Sequence, residues 1–228
     1  MANFLDFLFP KYCLGCGQNG QYFCPSCSVN LRPTTQICPV CEQLSTYGLT
    51  HPSCRSQYQP DGLSSLFAFE GITRKAIHQL KYRLLTDLVP EFVSLIFQEI
   101  EKQAYLKKFI KKYHPLVIPI PLYWYKENQR GFNQSALFGQ AIARQFNLPF
   151  SEKILKRKRA TPSQTTLSLK QRKENVKNVF SVSSKEENIE ANILLVDDVW
   201  TTGATLKTAA KLLKQKGVKK LWGLTIAR

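Results

Sequence analysis

The chain has 228 residues, 43% of them hydrophobic, which is enough to build a core, so its formal net charge of +16 is no sign of disorder. Lys and Arg number 32 against 16 Asp and Glu, a balance that points to a polyanionic partner: nucleic acid, a phosphorylated metabolite or an anionic membrane surface. A transmembrane segment is excluded, because a span needs about 20 consecutive apolar residues and the longest apolar run, 116–125, is short and holds Pro119 and Pro121.

Residues 1–9 are apolar but interrupted by Asp6, with no basic stretch before them and no small-residue cleavage site. The expectation is a cytoplasmic protein, or one resting at the inner face of the membrane, with this start packed onto the domain that follows.

All seven cysteines then fall between Cys13 and Cys54. An odd number fits a disulfide framework poorly, and a reducing compartment disfavours one. With His51 counted, they form four pairs, each separated by two residues: Cys13/Cys16, Cys24/Cys27, Cys38/Cys41 and His51/Cys54. Such a pair sits on a tight knuckle that aims two ligands at one ion, and two knuckles complete a tetrahedron. The order predicts two structural zinc sites, one of four cysteines and one of three cysteines with His51. The second depends on His51 serving in place of a thiolate. Each set is filled by protein ligands, so metal binding would supply folding energy rather than catalysis. His78 and His114 have no such partners and are expected in surface or packing roles.

Residues 1–60 carry three basic and two acidic side chains, so nearly all of the positive excess lies after them. There the pattern alternates. Leu63–Phe69 reads as a strand, Thr73–Leu85 as a helix, and a helical stripe from Pro90 through Ile100 runs on toward the basic stretch Lys107–Lys112. Leu116–Ile118 is a short buried strand and Asn133–Phe146 a helix. Ile193–Val196 is a second buried strand, followed by a helix from Ala204 to Lys216 and a last strand, Leu221–Ala227. Short, doubly apolar strands separated by helices imply an α/β fold with a mostly parallel sheet.

Ligands of such sheets bind beyond the carboxyl ends of the strands. There the strand from Ile193 delivers Asp197 and Asp198, and a hydroxyl-rich loop, Thr201, Thr202, Gly203, Ala204 and Thr205, opens a helix. Amides at a helix start cradle phosphate without needing lysine, and Gly203 permits close approach. Carboxylates accept hydrogen bonds from sugar hydroxyls. Phosphate beside a vicinal diol describes a ribose 5-phosphate.

This segment resembles the phosphoribosyl pyrophosphate (PRPP) motif of type I phosphoribosyltransferases. The chain as a whole resembles the ComF family, also called GntX-like, through its paired cysteines, Leu80-Lys81-Tyr82, Ile118-Pro-Ile-Pro121, Arg130-Gly-Phe-Asn-Gln134, Gln164, Arg172 and Asn175, and the acidic-pair loop. The resemblance implies a double zinc ribbon over 1–58 and a phosphoribosyltransferase-like domain over 59–228. It implies that Asp197 and Asp198 bind the ribose and Thr201–Thr205 the 5-phosphate, and that the loop after the Ile118 strand faces pyrophosphate with Mg²⁺. Lys126 and Arg130 would neutralise that pyrophosphate; solvent exposure or an ion pair with Glu127 is the alternative.

Nine basic residues and one acid lie between 153 and 177. Lys156, Arg157, Lys158, Arg159, Lys170, Arg172 and Lys173 could follow a nucleic-acid backbone, with Trp200 and the run Tyr123-Trp124-Tyr125 offering stacking faces. Lys207, Lys211 and Lys214 line one helix face and read as a solvated stripe. Three functions follow as expectations. The first is an accessory protein of DNA uptake in natural transformation, binding single-stranded DNA and PRPP. The second is an active phosphoribosyltransferase acting on a base or amine. The third is a PRPP-binding scaffold whose ribbons recruit proteins.

Overall fold

The computed structural model describes residues 10–159, 179–183 and 192–228. Four parallel strands form the central sheet in the order β1 (Gly62–Phe67), β6 (Lys220–Ala227), β5 (Asn192–Val199) and β2 (Leu116–Pro119). Leu194, Val196 and Leu224 face one layer of the core; Ile193, Leu195 and Leu221 face the other. This two-sided burial is why these strands read as continuous apolar runs. A small antiparallel pair, β3 (Leu155–Arg157) and β4 (Phe180–Val182), lies apart from the sheet.

Seven helices are described: α1 (Pro25–Ser28), α2 (Gly71–His78), α3 (Val89–Lys102), α4 (Ala104–Tyr113), α5 (Trp124–Arg130), α6 (Gln134–Gln145) and α7 (Ala204–Gln215). The strand expected to run to Phe69 ends at Phe67, and three further boundaries differ in ways with a clear cause. The helix expected over Thr73–Leu85 ends as α2 and continues as one π-helical turn, Gln79–Arg83, stopped by Leu84 in the left-handed region (φ 55°). The stripe running to Lys112 is broken at Gln103, whose backbone (φ −86°, ψ 78°) separates α3 from α4. The strand expected over Ile193–Val196 extends to Val199, so both acidic residues lie inside it. Among the described residues no helix is long and apolar enough to cross a membrane.

The cysteine-rich region is built into the same core. Glu91, in the first turn of α3, accepts from the Tyr22 and Phe23 amides at 2.8 and 3.1 Å, and Phe23 stacks on Phe92 at 5.2 Å. Gln36 exchanges two hydrogen bonds with the Ser65 backbone in β1 (2.8 and 3.1 Å), and Ile37 is buried beside Leu63. Two of the three lysines on the α7 stripe face this region, whereas Lys211 is exposed to solvent as expected. Lys207 pairs with Glu42 at 2.6 Å, and Lys214, only 7% exposed, pairs with Asp61 at 2.8 Å. The helical spacing holds, with Lys207 engaged by Glu42 of the second ribbon and Lys214 by Asp61 just after it.

Candidate ribose-phosphate site and metal centres

Cys13, Cys16, Cys24 and Cys27 bring their sulfurs together, as do Cys38, Cys41, Cys54 and the imidazole of His51; within each set the ligand atoms lie within 4.8 Å of one another. Both pairings follow the sequential order that the knuckle spacing predicts. His51 resolves its own question: Nε2 lies 3.0 Å from the Leu44 carbonyl, while Nδ1 sits 3.4 Å from Cys41 Sγ. With Nε2–H donating to that carbonyl, the ring is held so that the Nδ1 lone pair faces the sulfurs, as in a metal-bound histidine. Burial resists ionisation of Cys13, but amide donors of Cys24, Cys16 and Gly15 draw its thiol down to about 6. The neighbouring sulfurs, Cys24 foremost, with burial, push Cys27 up to about 12. Four thiolates in so small a volume repel one another unless a cation lies between them, and the soft, tetrahedral sets suit zinc.

At the carboxyl end of the sheet a cavity of about 260 Å³ is lined by Lys81, Lys126, Arg130, Arg157, Asp197, Asp198 and the loop after β5, among others. Side chains alternate along a strand, so the adjacent acids diverge and acquire different partners. Asp198, 8% exposed, meets Lys81 Nζ at 2.8 Å. Asp197 accepts from Ser135 Oγ at 3.0 Å and from the Asp198 amide at 2.9 Å. Burial, followed by the nearby Asp198 charge, raises Asp197 to about 7.

The Arg130–Gln134 segment becomes legible as one device. Gly131, left-handed at φ 73°, ends α5, and Asn133 caps α6 while donating to the Ile120 carbonyl at 3.0 Å. Arg130 donates to Gln134 Oε1 at 2.9 Å and lies 5.7 Å from the Tyr82 ring centre. Ser135 then reaches Asp197. The turn thus ties the loop after β2 to the acidic pair. Neither Lys126 nor Arg130 forms an ion pair with Glu127 among the described residues; both face the cavity. Burial, then Arg157, Arg130 and Lys81, lowers the Lys126 pKa. This concentration of positive charge is what a diphosphate would relieve.

In the loop, Gly203 adopts φ 64° and caps α7, and a Cβ there would lie 2.0 Å from the Trp200 ring. Trp200 itself is 3% exposed, with Lys207 Nζ 5.4 Å from its ring centre. Its expected role as a base-stacking face is therefore corrected: the ring is a buried floor beneath the loop. Thr201, Gly203, Ala204 and Thr205 line the cavity, whereas the Thr202 hydroxyl is buried without a hydrogen-bond partner and does not line it.

Of the basic tract, Arg157 enters the cavity, while Lys156, Lys158 and Arg159 are exposed. Lys170, Arg172 and Lys173, with Gln164 and Asn175, lie outside the described residues. Trp124 and Tyr125 are exposed at the start of α5. Sequence reasoning missed Ser135 and the Lys81–Asp198 contact, although both residues stand in or next to motifs it had singled out.

The Asp197 environment has a measurable sign. A carboxyl whose folded pKa is raised to about 7 costs stability once ionised, and that cost vanishes as pH falls toward its unfolded value. Asp197→Asn, which keeps the acceptor for Ser135, is expected to be more stable than wild type at pH 8 in denaturant titrations without ligand. The advantage is expected to shrink steadily between about pH 7 and pH 4. A constant difference across that window would contradict a neutralised Asp197.

Comparison with known proteins agrees with both halves. Residues 133–226 match the Phosphoribosyl transferase domain family and residues 4–59 the Double zinc ribbon domain family. Competence protein F of Haemophilus influenzae is 43% identical over 114 residues, 49% of this chain, which spans about half (50%) of that relative's length. Competence protein ComFC of Bacillus subtilis is 28% identical over 207 residues, covering 85% of this chain and 78% of the relative. DNA utilization protein YhgH of Salmonella typhi is 30% identical over 205 residues, 85% of each chain. With two metal-ligand clusters folded onto a phosphoribosyltransferase-type sheet, and with the YhgH relative matched over 85% of both chains, the chain belongs to the ComF family.

Proposed function

We propose that this protein is an accessory factor of DNA uptake that holds PRPP in the cavity at the carboxyl end of its sheet and binds single-stranded DNA. One observation carries the reading: a single cavity joins an acidic pair, a glycine-capped helix start and four cationic side chains. Asp198 and Asp197 would accept from the ribose hydroxyls, with Lys81 displaced from Asp198 or retained beside it. The amides of Thr201–Thr205 would hold the 5-phosphate, and Lys126, Arg130 and Arg157 the pyrophosphate. Mg²⁺ would arrive with the diphosphate and supply charge neutralisation; Asp197 and Asp198 are the only carboxylates among the described lining residues. Two of the relatives are named competence proteins and others DNA utilization proteins, and exposed Lys156, Lys158 and Arg159, with exposed Trp124 and Tyr125, offer charge and stacking rings for a strand. The reading places the protein in the cytoplasm or at the inner face of the membrane.

An active phosphoribosyltransferase is the second reading, favoured by cations gathered where pyrophosphate would leave. A base or amine nitrogen would bond to C1 as the C1–oxygen bond breaks, and the departing electron pair would go to a pyrophosphate oxygen whose charge these cations neutralise.

For the DNA-binding part, fluorescence anisotropy with a labelled oligothymidine is expected to show affinity that falls steeply with salt. Replacing Lys156, Lys158 and Arg159 together by alanine is expected to reduce the slope of log K against log [salt] by about 2. An unchanged slope would remove these residues from the interface.

A further inference from the structure

A second cavity, of about 300 Å³, lies at the opposite end of the sheet, where β1 and β6 begin. It is bounded by the second ribbon, α4 and the start of β6, with Arg55, Tyr105, Lys108, Lys112, Tyr113 and Lys220 on its walls. The one lining carboxylate, Asp61, is already engaged: its oxygens accept from Lys214 at 2.8 Å, Lys220 at 3.3 Å and the Leu221 amide at 2.9 Å. Among the described residues no carboxylate pairs with Arg55, Lys108 or Lys112, and all three are exposed. The cavity therefore carries a clear positive excess.

Tyr105 and Tyr113 are its tyrosines, and Tyr47 flanks it. Tyr47 of the ribbon stacks on Tyr105 of α4 at 4.5 Å, with the rings 16° from parallel. Lys108 Nζ lies 5.7 Å from the Tyr105 ring centre and Lys112 Nζ 5.3 Å from that of Tyr113. To hold its ring there, Tyr47 adopts φ 58°, a left-handed conformation unusual for a bulky residue. Gly48 follows at φ 74°, where a Cβ would collide with the Leu63 carbonyl. A tyrosine left half-exposed (51%) in a disfavoured backbone conformation, beside unpaired cations, suits a surface made for a flat, anionic ligand.

We propose that this cavity is a second contact site for single-stranded nucleic acid. A base would lie in the cavity against the Tyr105 or the Tyr113 ring, with Tyr47 bracing Tyr105 from outside it, and the flanking phosphates would meet Arg55, Lys108 and Lys112. Cations next to aromatic faces match the alternation of base and phosphate along a strand, whereas an acidic peptide would use the charge and leave the rings idle. The site rests on the reading that the chain handles single-stranded DNA, and it adds where a strand is held away from PRPP. The two cavities lie at opposite ends of β6, an eight-residue strand of roughly 25 Å. PRPP and a strand seated in this second cavity therefore do not exclude each other.

The test is anisotropy with a labelled oligothymidine on wild type, Lys108→Ala/Lys112→Ala, and Tyr105→Leu, with melting temperature and zinc content as folding controls and PRPP saturating throughout. The double variant is expected to lose about tenfold in affinity and to reduce the salt slope by about 1.4. Tyr105→Leu is expected to weaken binding with an unaltered slope. If the double variant binds with wild-type affinity and slope, this site is overturned while the DNA-binding reading stands. If wild type itself fails to bind at low salt, that reading falls and the site with it. If a polyglutamate peptide displaces the oligonucleotide and Tyr105→Leu has no effect, the cavity takes acidic peptides and the proposal is wrong.

Discussion

Removing zinc is expected to lower the melting temperature by more than about 10 °C and to weaken PRPP binding as well. Structural zinc in small ribbons contributes about 10–16 kcal/mol of apparent binding energy, most of it folding energy. Each ribbon is too short to keep a core of its own, so losing the ion releases Tyr22 and Phe23 from α3, and Ile37 from the layer that contains Leu63. A domain of this size shifts by about 2–4 °C for each kcal/mol. The two sites should differ in their reach. Glu42, adjacent to the ligand Cys41, holds Lys207, whose ammonium covers Trp200, the floor of the phosphate loop. Cys41→Ser is therefore expected to weaken PRPP binding more than Cys16→Ser does, at matched loss of stability. Calorimetry on both variants, with zinc quantified by release to a chromogenic chelator, checks this. Equal effects on PRPP would show that Lys207 does not transmit the state of the second ribbon.

Gly203→Ala is expected to be nearly as damaging to the ligand site as removal of the whole loop, at a smaller cost in stability. A left-handed alanine costs about 1–2 kcal/mol from backbone sterics alone. The added methyl would also lie 2.0 Å from the Trp200 ring, which is 3% exposed and has little room to retreat. Either the loop lifts, misaligning its amides, or the indole moves and disturbs Lys207. The expected result is a melting temperature lower by about 5–10 °C and PRPP affinity reduced by about 100-fold. Circular dichroism and calorimetric titration measure the two effects separately. Wild-type affinity in this variant would show that the 5-phosphate does not use the loop.

Much of this architecture is written locally. Pairs of cysteines two residues apart are legible because knuckle geometry needs only adjacent residues, and buried parallel strands because both faces are apolar. The acidic pair and the Gly203 loop were readable for the same reason. What escaped the sequence reading depends on distant partners. The stripe Lys207, Lys211 and Lys214 looked solvated because Glu42 and Asp61, which engage Lys207 and Lys214, stand more than 150 residues away. Trp200 looked like an exposed stacking face because nothing nearby shows that the loop closes over it. Lys81 could be singled out by its motif, but not matched to Asp198 without the π-helical turn that carries it across the cavity. The break at Gln103 was hidden by apolar spacing that continues in phase on both sides. The cavity at the far end of the sheet has no motif at all, since its walls come from the ribbon, α4 and β6.

On the proposed reading the cavity at the carboxyl end of β5 is a PRPP site. Its most direct test is isothermal titration of the zinc-loaded protein with PRPP in the presence of Mg²⁺, with ribose 5-phosphate and pyrophosphate as separate competitors. Saturable binding at one site per chain, displaced by each fragment and lost in Gly203→Ala, is the predicted result. Absence of saturable binding, or binding that pyrophosphate displaces but ribose 5-phosphate does not touch, would contradict it.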